Sequence, residues 1–325
     1  MNIRQSGPLF ALALALGLAP HASVQSQSFP DRPVRLLVGV TAGGGVDLAS
    51  RIVAAKLSEL WGQQLLVENR AGGGQMLAME AVAKAAPDGY TLLSCNLGTH
   101  GIGPALFHKA GVDHVKDFAP ISLFGTNPLV LVTNPAVPAK SVQDFLAHIK
   151  SDPGKVAIAY GGTGTTPHLT TELFRLTTGI DSPLVPYKGG AAALADLLGG
   201  HVQAQFDGLS TQLATIKAGK VRALAVTSSK RNANLPDTPT LIESGVSIDV
   251  TAWYGFCAPA GVPKPILEKL HADMGKALNS PDVRQRLEEL GLDVETQTPE
   301  QFAALIRAET ARWANVVREA RVSVR

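Results

Sequence analysis

A chain of 325 residues, 45% hydrophobic and 17% charged, carries enough apolar surface for two domains of ordinary size, which excludes a disordered polypeptide. Its 29 Lys and Arg stand against 27 Asp and Glu, a formal net charge of +2. With no basic run interleaved with aromatics, that balance supplies no field for nucleic acid or an acidic membrane surface.

The chain opens on Arg4, an Ala- and Leu-rich stretch from Leu9 to Leu18, and small residues at Pro20-His21-Ala22-Ser23. This is the pattern of a secretory signal peptide, expected over residues 1–27. The apolar stretch is too short to span a bilayer, and no cysteine near the cut offers a lipid anchor. The mature protein is therefore expected in the periplasm, free of the membrane.

Val34–Val40 reads as a buried strand and Thr41–Asp47 as a glycine-rich turn. Leu48, Ala49, Ile52, Val53, Leu57 and Leu60 then fall at helical spacing. Gln64–Glu68 is a second strand, Asn69–Gly74 a turn and Met76–Ala86 a helix. Pro87-Asp88-Gly89 turns the chain into a third strand, Tyr90–Cys95, which runs into another glycine-containing turn, Asn96–His100. Alternation of this kind implies a mostly parallel sheet with helices on both faces.

Two apolar runs, Pro120–Phe124 and Leu129–Thr133, meet at Gly125–Pro128 and read as the crossing into a second domain. There the pattern restarts. Ser141 caps a helix to Lys150, Lys155–Tyr160 is a strand, and Gly161–His168 is again a glycine-rich turn opening a helix. Further alternation follows: Leu184–Pro186, a helix to Leu198, Val202–Phe206, a helix from Ser210 to Ala218, and Arg222–Thr227. Val250–Ala258 reads as the return strand, and two amphipathic helices close the chain. The expected division is 28–124 and 251–325 in one domain and 125–250 in the other.

Each of two strand-to-helix turns, one per domain, aims unpaired N–H groups and the positive end of a helix dipole at whatever lies in front of it. Two such turns in separate domains point to an anion held in the cleft between them. A carboxylate could be bound this way with no Arg or Lys. Enzyme signals are weaker. Gly43-Gly44-Gly45, with Glu68 at the end of the next strand, invites a dinucleotide reading, but Leu48 stands where the third glycine belongs and Asp47 would repel a pyrophosphate. Gly161–Thr166 lacks the lysine of a P-loop, and no nucleophile elbow or His-Glu-x-x-His is present. None of the eight histidines pairs at i,i+4 on a helix, so neither a metal nor a cofactor is expected. The cysteines, Cys95 and Cys257, could be bridged in an exported protein, but read in preference as buried small hydrophobes.

The mature chain resembles, over its whole length, the extracytoplasmic solute receptors of tripartite tricarboxylate transporters, the Bug (Bordetella uptake gene) family. The segments that carry the resemblance are Phe29–Leu36, Gly43–Asp47, Val67–Gly74, Ala86–Leu93, Pro186–Gly190, Leu197–Val202, Gly219–Val226 and Pro236–Thr240. The resemblance implies a type II periplasmic-binding-protein fold of two α/β domains. It implies capture of a small carboxylated solute between Ala42, Gly43, Gly44, Gly45, Val46 and Asp47 on one side and Gly162, Thr163, Gly164, Thr165 and Thr166 on the other. Family members commonly carry several serines in the second loop, where this chain has threonines and Pro167.

By the same resemblance Asn96, Thr99 and His100 line the cleft, as do Tyr187 and Asp207, with Asp207 accepting an N–H or O–H from the distal end of a ligand or capping its helix. His168 completes the candidate set. The expected partners are the solute and the membrane permease, with the receptor a monomer and no catalysis. The alternatives are an exported α/β enzyme using His100 or His168 as base, and a ligand sensor for a membrane kinase.

Overall fold

The computed structural model describes residues 29–107, 111–320 and 322; the expected leader lies outside them. Strands β1 (Val34–Val38), β2 (Leu65–Asn69) and β3 (Thr91–Asn96) alternate with helices α1 (Gly45–Trp61) and α2 (Met76–Ala83). A single turn of 3-10 helix, Gly73–Gln75, precedes α2. A π-helical segment, Leu97–Ile102, leads from β3 into the short α3 (Gly103–Leu106). The apolar spacing of α1 buries Val46, Ala49, Ile52, Val53 and Leu57 against the sheet, and Gly62 in the left-handed region stops the helix.

The two apolar runs that read as separate pieces form one strand, β4 (Phe118–Thr133). The second lobe follows as α4 (Val142–Ser151), β5 (Ile158–Gly161), α5 (Thr166–Thr178), β6 (Leu184–Tyr187), α6 (Gly190–Leu198), β7 (Ala204–Gly208), α7 (Leu209–Lys217) and β8 (Arg222–Val226). As expected, Ser141 caps α4, its hydroxyl accepting the Asp144 N–H at 3.0 Å. β9 (Thr251–Pro259) returns to the first lobe, and α8 (Lys264–Asn279), α9 (Pro281–Glu289) and α10 (Pro299–Ala320) pack there. α9 has no counterpart in the sequence reading. It buries only Val283 and Leu287, too few apolar positions to show a period.

Strand order is β2-β1-β3-β9-β4-β7-β5-β6, with β8 also on β4. The first half of β4 pairs antiparallel with β9, and the second half with β7 and β8. Pro128, which has no N–H to donate, falls where the partners change: Asn127 is opposite Ala252 and Leu129 opposite Gly208. β4 is thus shared by both lobes. Its alternation serves two cores, with Leu129 and Leu131 packed in the large cluster and Val130 and Val132 in a smaller one under α6 and α7.

One expectation is corrected. Cys95 and Cys257 are bridged, with their Cα atoms 6.0 Å apart. They lie on neighbouring strands, Cys95 of β3 opposite Gly255 and Cys257 of β9 opposite Leu93, so the pairing of strands far apart in sequence brings the sulfurs together.

Candidate functional site

β1, β3, β5, β6 and β7 all end at one cavity of about 800 Å³ between the lobes. The N-termini of α1, α5, α6 and α7 open onto the same space, through Gly44 and Gly45, Thr165 and Thr166, Gly189 and Gly190, and Gly208. Crevices at the carboxyl ends of parallel strands are where open α/β sheets bind ligands.

The first loop is held in shape by its own acid. Gly43, at φ 80, donates its N–H to Asp47 Oδ2 at 2.9 Å, and Gly44 donates to Thr41 O at 3.1 Å. Asp47, 1% exposed, also accepts from Asn69 Nδ2 at 2.8 Å and pairs with Arg51 at 3.0 Å. Burial pushes its carboxyl up, but Arg51, the Gly43 N–H and Asn69 together outweigh burial and hold it below the ordinary value. Two loop N–H groups are consumed internally, which leaves those at the start of α1, from Gly45 onward, for a ligand.

The second loop is braced in the same way. Thr165 Oγ1 donates back to the carbonyls of Gly161 and Gly162 at 2.8 and 2.6 Å, so this hydroxyl is committed to the loop. Gly162 donates to Tyr187 O at 2.8 Å, and Gly164 to His168 Nδ1 at 3.1 Å. The His168 ring stacks on Tyr160 with centroids 4.5 Å apart, and burial lowers its proton affinity. Thr163 and Thr166 remain on the cavity wall.

The floor is polar and shared. Asn127 of β4 donates to Ser210 Oγ at 3.0 Å and Tyr254 Oη at 2.8 Å. Burial pushes the Tyr254 phenol up to about 12, with the charge of nearby Asp207 adding to it. Asp207, at the end of β7, accepts from the Gly208 N–H at 2.8 Å and Gln205 Nε2 at 3.2 Å. Burial raises its carboxyl to about 6, against the pull of the Gly208 N–H, Thr211 and Gln212. Among the described residues lining the cavity, Asp207 is the one acid and Lys188, exposed at the rim, the one base.

The mouth is formed by Ala71–Gln75 and Phe107 of the first lobe facing Gly162–Thr163 of the second. The lobes meet closely elsewhere as well: a Cβ added to Gly189 would collide with Thr41 Oγ1, and one on Gly45 would lie 2.5 Å from Ser210 Oγ.

Of the residues expected to bind ligand, Gly44, Gly45, Val46, Asn96, Gly162, Thr163, Thr165, Thr166, Tyr187 and Asp207 line the cavity. Ala42 and Gly43 are exposed outside it, and Asp47, Gly164 and His168 stand behind it as braces. Thr99 and His100 are buried beneath the wall. Thr99 Oγ1 receives the Asn96 N–H at 2.8 Å, and His100 Nδ1 lies 2.8 Å from the same hydroxyl. His100 is 1% exposed and packs edge-on to Phe118; burial, helped by the nearby His114, drops its ring to about 3. Neither histidine offered as a base reaches the cavity. The sequence reading missed the Ala71–Gln75 lip, Phe107 and Tyr254. The run Gly72-Gly73-Gly74 was the available signal for the lip.

The sequence matches the family described as "Tripartite tricarboxylate transporter family receptor" over residues 49–322. It is 38% identical over 300 residues to protein BugT of Bordetella pertussis, spanning 92% of each chain. Among solved structures, R. palustris Rpa4515 with adipate superposes with a TM-score of 0.87 at 34% identity, covering 91% of this chain and 99% of that one. MatC from Rhodopseudomonas palustris with bound malate gives 0.84 at 35% identity, covering 89% and 100%. The chain belongs to the receptor family of the tripartite tricarboxylate transporters, with the two-domain α/β fold of periplasmic binding proteins.

Proposed function

We propose that this protein is an exported, periplasmic receptor that captures a small carboxylate in the cleft between its lobes and delivers it to the membrane permease of a tripartite transporter. One observation carries the reading: four helix N-termini converge on a cavity whose single lysine sits at the rim. Each backbone N–H to carboxylate bond contributes roughly 1.5–3 kcal/mol. Three or four of them reach ~8 kcal/mol after losses, which corresponds to micromolar affinity. The structures of relatives with adipate and malate support the ligand class.

In this reading residues 28–124 and 251–325 form one rigid body and 125–250 the other, hinged where β4 and β9 cross. The receptor acts as a monomer and does no chemistry on its ligand. No described helix is long and apolar enough to cross a membrane, in keeping with a receptor that meets its permease from outside the bilayer. The test is a thermal-shift and calorimetric screen against mono-, di- and tricarboxylates and amino acids. A rise in melting temperature with at least one of them is expected; no shift with any of them at millimolar concentration overturns the reading.

A further inference from the structure

Asp207 is a buried acid facing an anion site without a counter-charge. It is 7% exposed, and the groups that donate to it or favour its charge, the Gly208 N–H, Gln205 Nε2 and the side chains of Thr211 and Gln212, are all neutral. The one base among the described residues lining the cavity, Lys188, is exposed at the rim. The N-termini of α6 and α7 beside it supply partial charge only.

Its place in the cavity limits what it can meet. A Cβ on Gly190 would collide with Asp207 Oδ2, and a Cβ on Gly161 would lie 2.7 Å from Gly190 Cα. Asp207 is therefore one residue's thickness from the loop that opens α5. On its other side, a Cβ on Gly208 would lie 3.6 Å from both Ser210 Oγ and Tyr254 Oη, the same two atoms that crowd Gly45 at the start of α1. Asp207 thus stands next to both loops proposed to hold the carboxylate.

A carboxylate bound on those loops brings a second negative charge beside an uncompensated one, and like charges in a shared site disfavour each other. An ammonium on the carbon next to the carboxylate resolves the conflict, because its N–H groups reach Asp207 while the carboxylate stays on the helix N-termini. A hydroxyl there satisfies the hydrogen bond but leaves the charge, and a bare methylene satisfies neither. We propose that the cleft is built for an α-amino acid, with Asp207 accepting the α-ammonium and the starts of α1 and α5 holding the carboxylate. The proposal rests on the receptor reading above and narrows it.

The test is calorimetry near neutral pH with three matched series: aspartate, malate and succinate; glutamate, 2-hydroxyglutarate and glutarate; leucine, 2-hydroxy-4-methylpentanoate and 4-methylpentanoate. In whichever series binds, the amino member is expected to be tighter by about 10- to 100-fold, the range of a charge-assisted hydrogen bond. Asp207→Asn is expected to remove that preference while hydroxy and unsubstituted members bind as before or better. A hydroxy or unsubstituted member that binds wild type as tightly as its amino partner overturns the proposal and leaves the receptor reading standing. No binding in any series, with no response in the wider carboxylate screen, overturns both. The wild-type series decide the matter by themselves if the Asn variant does not fold.

Discussion

The ring of Phe107 lies against the backbone of Gly164 in the opposite lobe, so close that a Cβ on the glycine would sit 2.7 Å from Phe107 Cζ. Gly164 also holds φ at +81, a region L side chains rarely adopt, and on the near side the same ring leaves no room for a Cβ on Gly74. An aromatic from one lobe is therefore seated between glycines of both, across the mouth of the cavity.

Gly164→Ala is expected to keep the lobes from closing. Ligand affinity should fall about 10-fold or more, since the lost closure contacts amount to roughly 1–3 kcal/mol of strain and packing. Scattering should show a larger radius of gyration with ligand than wild type shows. Phe107→Ala should instead leave closure possible and speed ligand release in stopped-flow traces.

Gly45 tests the floor. A Cβ there would lie 2.5 Å from Ser210 Oγ and 2.8 Å from Tyr254 Oη. Gly45→Ala is expected to weaken binding by about 10-fold or more through displaced lobes and a covered N–H, while the melting temperature of the empty protein moves by only a few degrees.

The carboxyl of Asp207 sits at about 6 in the folded protein, above the ordinary 3.8, because burial disfavours its charge. Between those values the folded state holds more protons than the unfolded one, so this group stabilises the fold below about pH 4 and that stabilisation is lost as pH rises through 6. Asp207→Asn should therefore gain melting temperature relative to wild type as the pH is taken from 4 to 7 without ligand. A difference that stays flat across this range would contradict the assignment.

His100 works in the opposite sense. Its ring is held near 3 against an ordinary 6.5, first by burial and then by His114. The unfolded chain binds the proton more readily between those values, so stability falls as the pH drops from 6.5 toward 3. Acid melts of wild type and His100→Asn should show a shallower decline in the variant, whatever its stability at neutral pH.

Much of the architecture was legible because its signals are local. Strand-to-helix turns announce themselves by glycine after an apolar run, and α1 and α5 begin where Thr41–Asp47 and Gly161–His168 placed them. What the spacing could not say is which way each group turns. Asp47, Thr165 and His168 sit in the right loops, yet each bonds back to its own loop, and Asp47 also to Asn69 and Arg51. Phe107 and Tyr254 escaped notice because their role depends on a meeting of lobes, and no sequence period records that. The bridge between Cys95 and Cys257 was ranked second for the same reason: β3 and β9 are neighbours in the sheet but far apart in the sequence.

That bridge spans 162 residues, and the whole of the second lobe lies between its two ends. Closing so long a loop withdraws about 5 kcal/mol of chain entropy from the unfolded ensemble in the simple polymer estimate. It also makes the second lobe a covalent ring rooted on the first. A protease cut anywhere inside that ring leaves both fragments tethered, so a nicked molecule should run as one band on a denaturing gel and separate into two only after reductant is added.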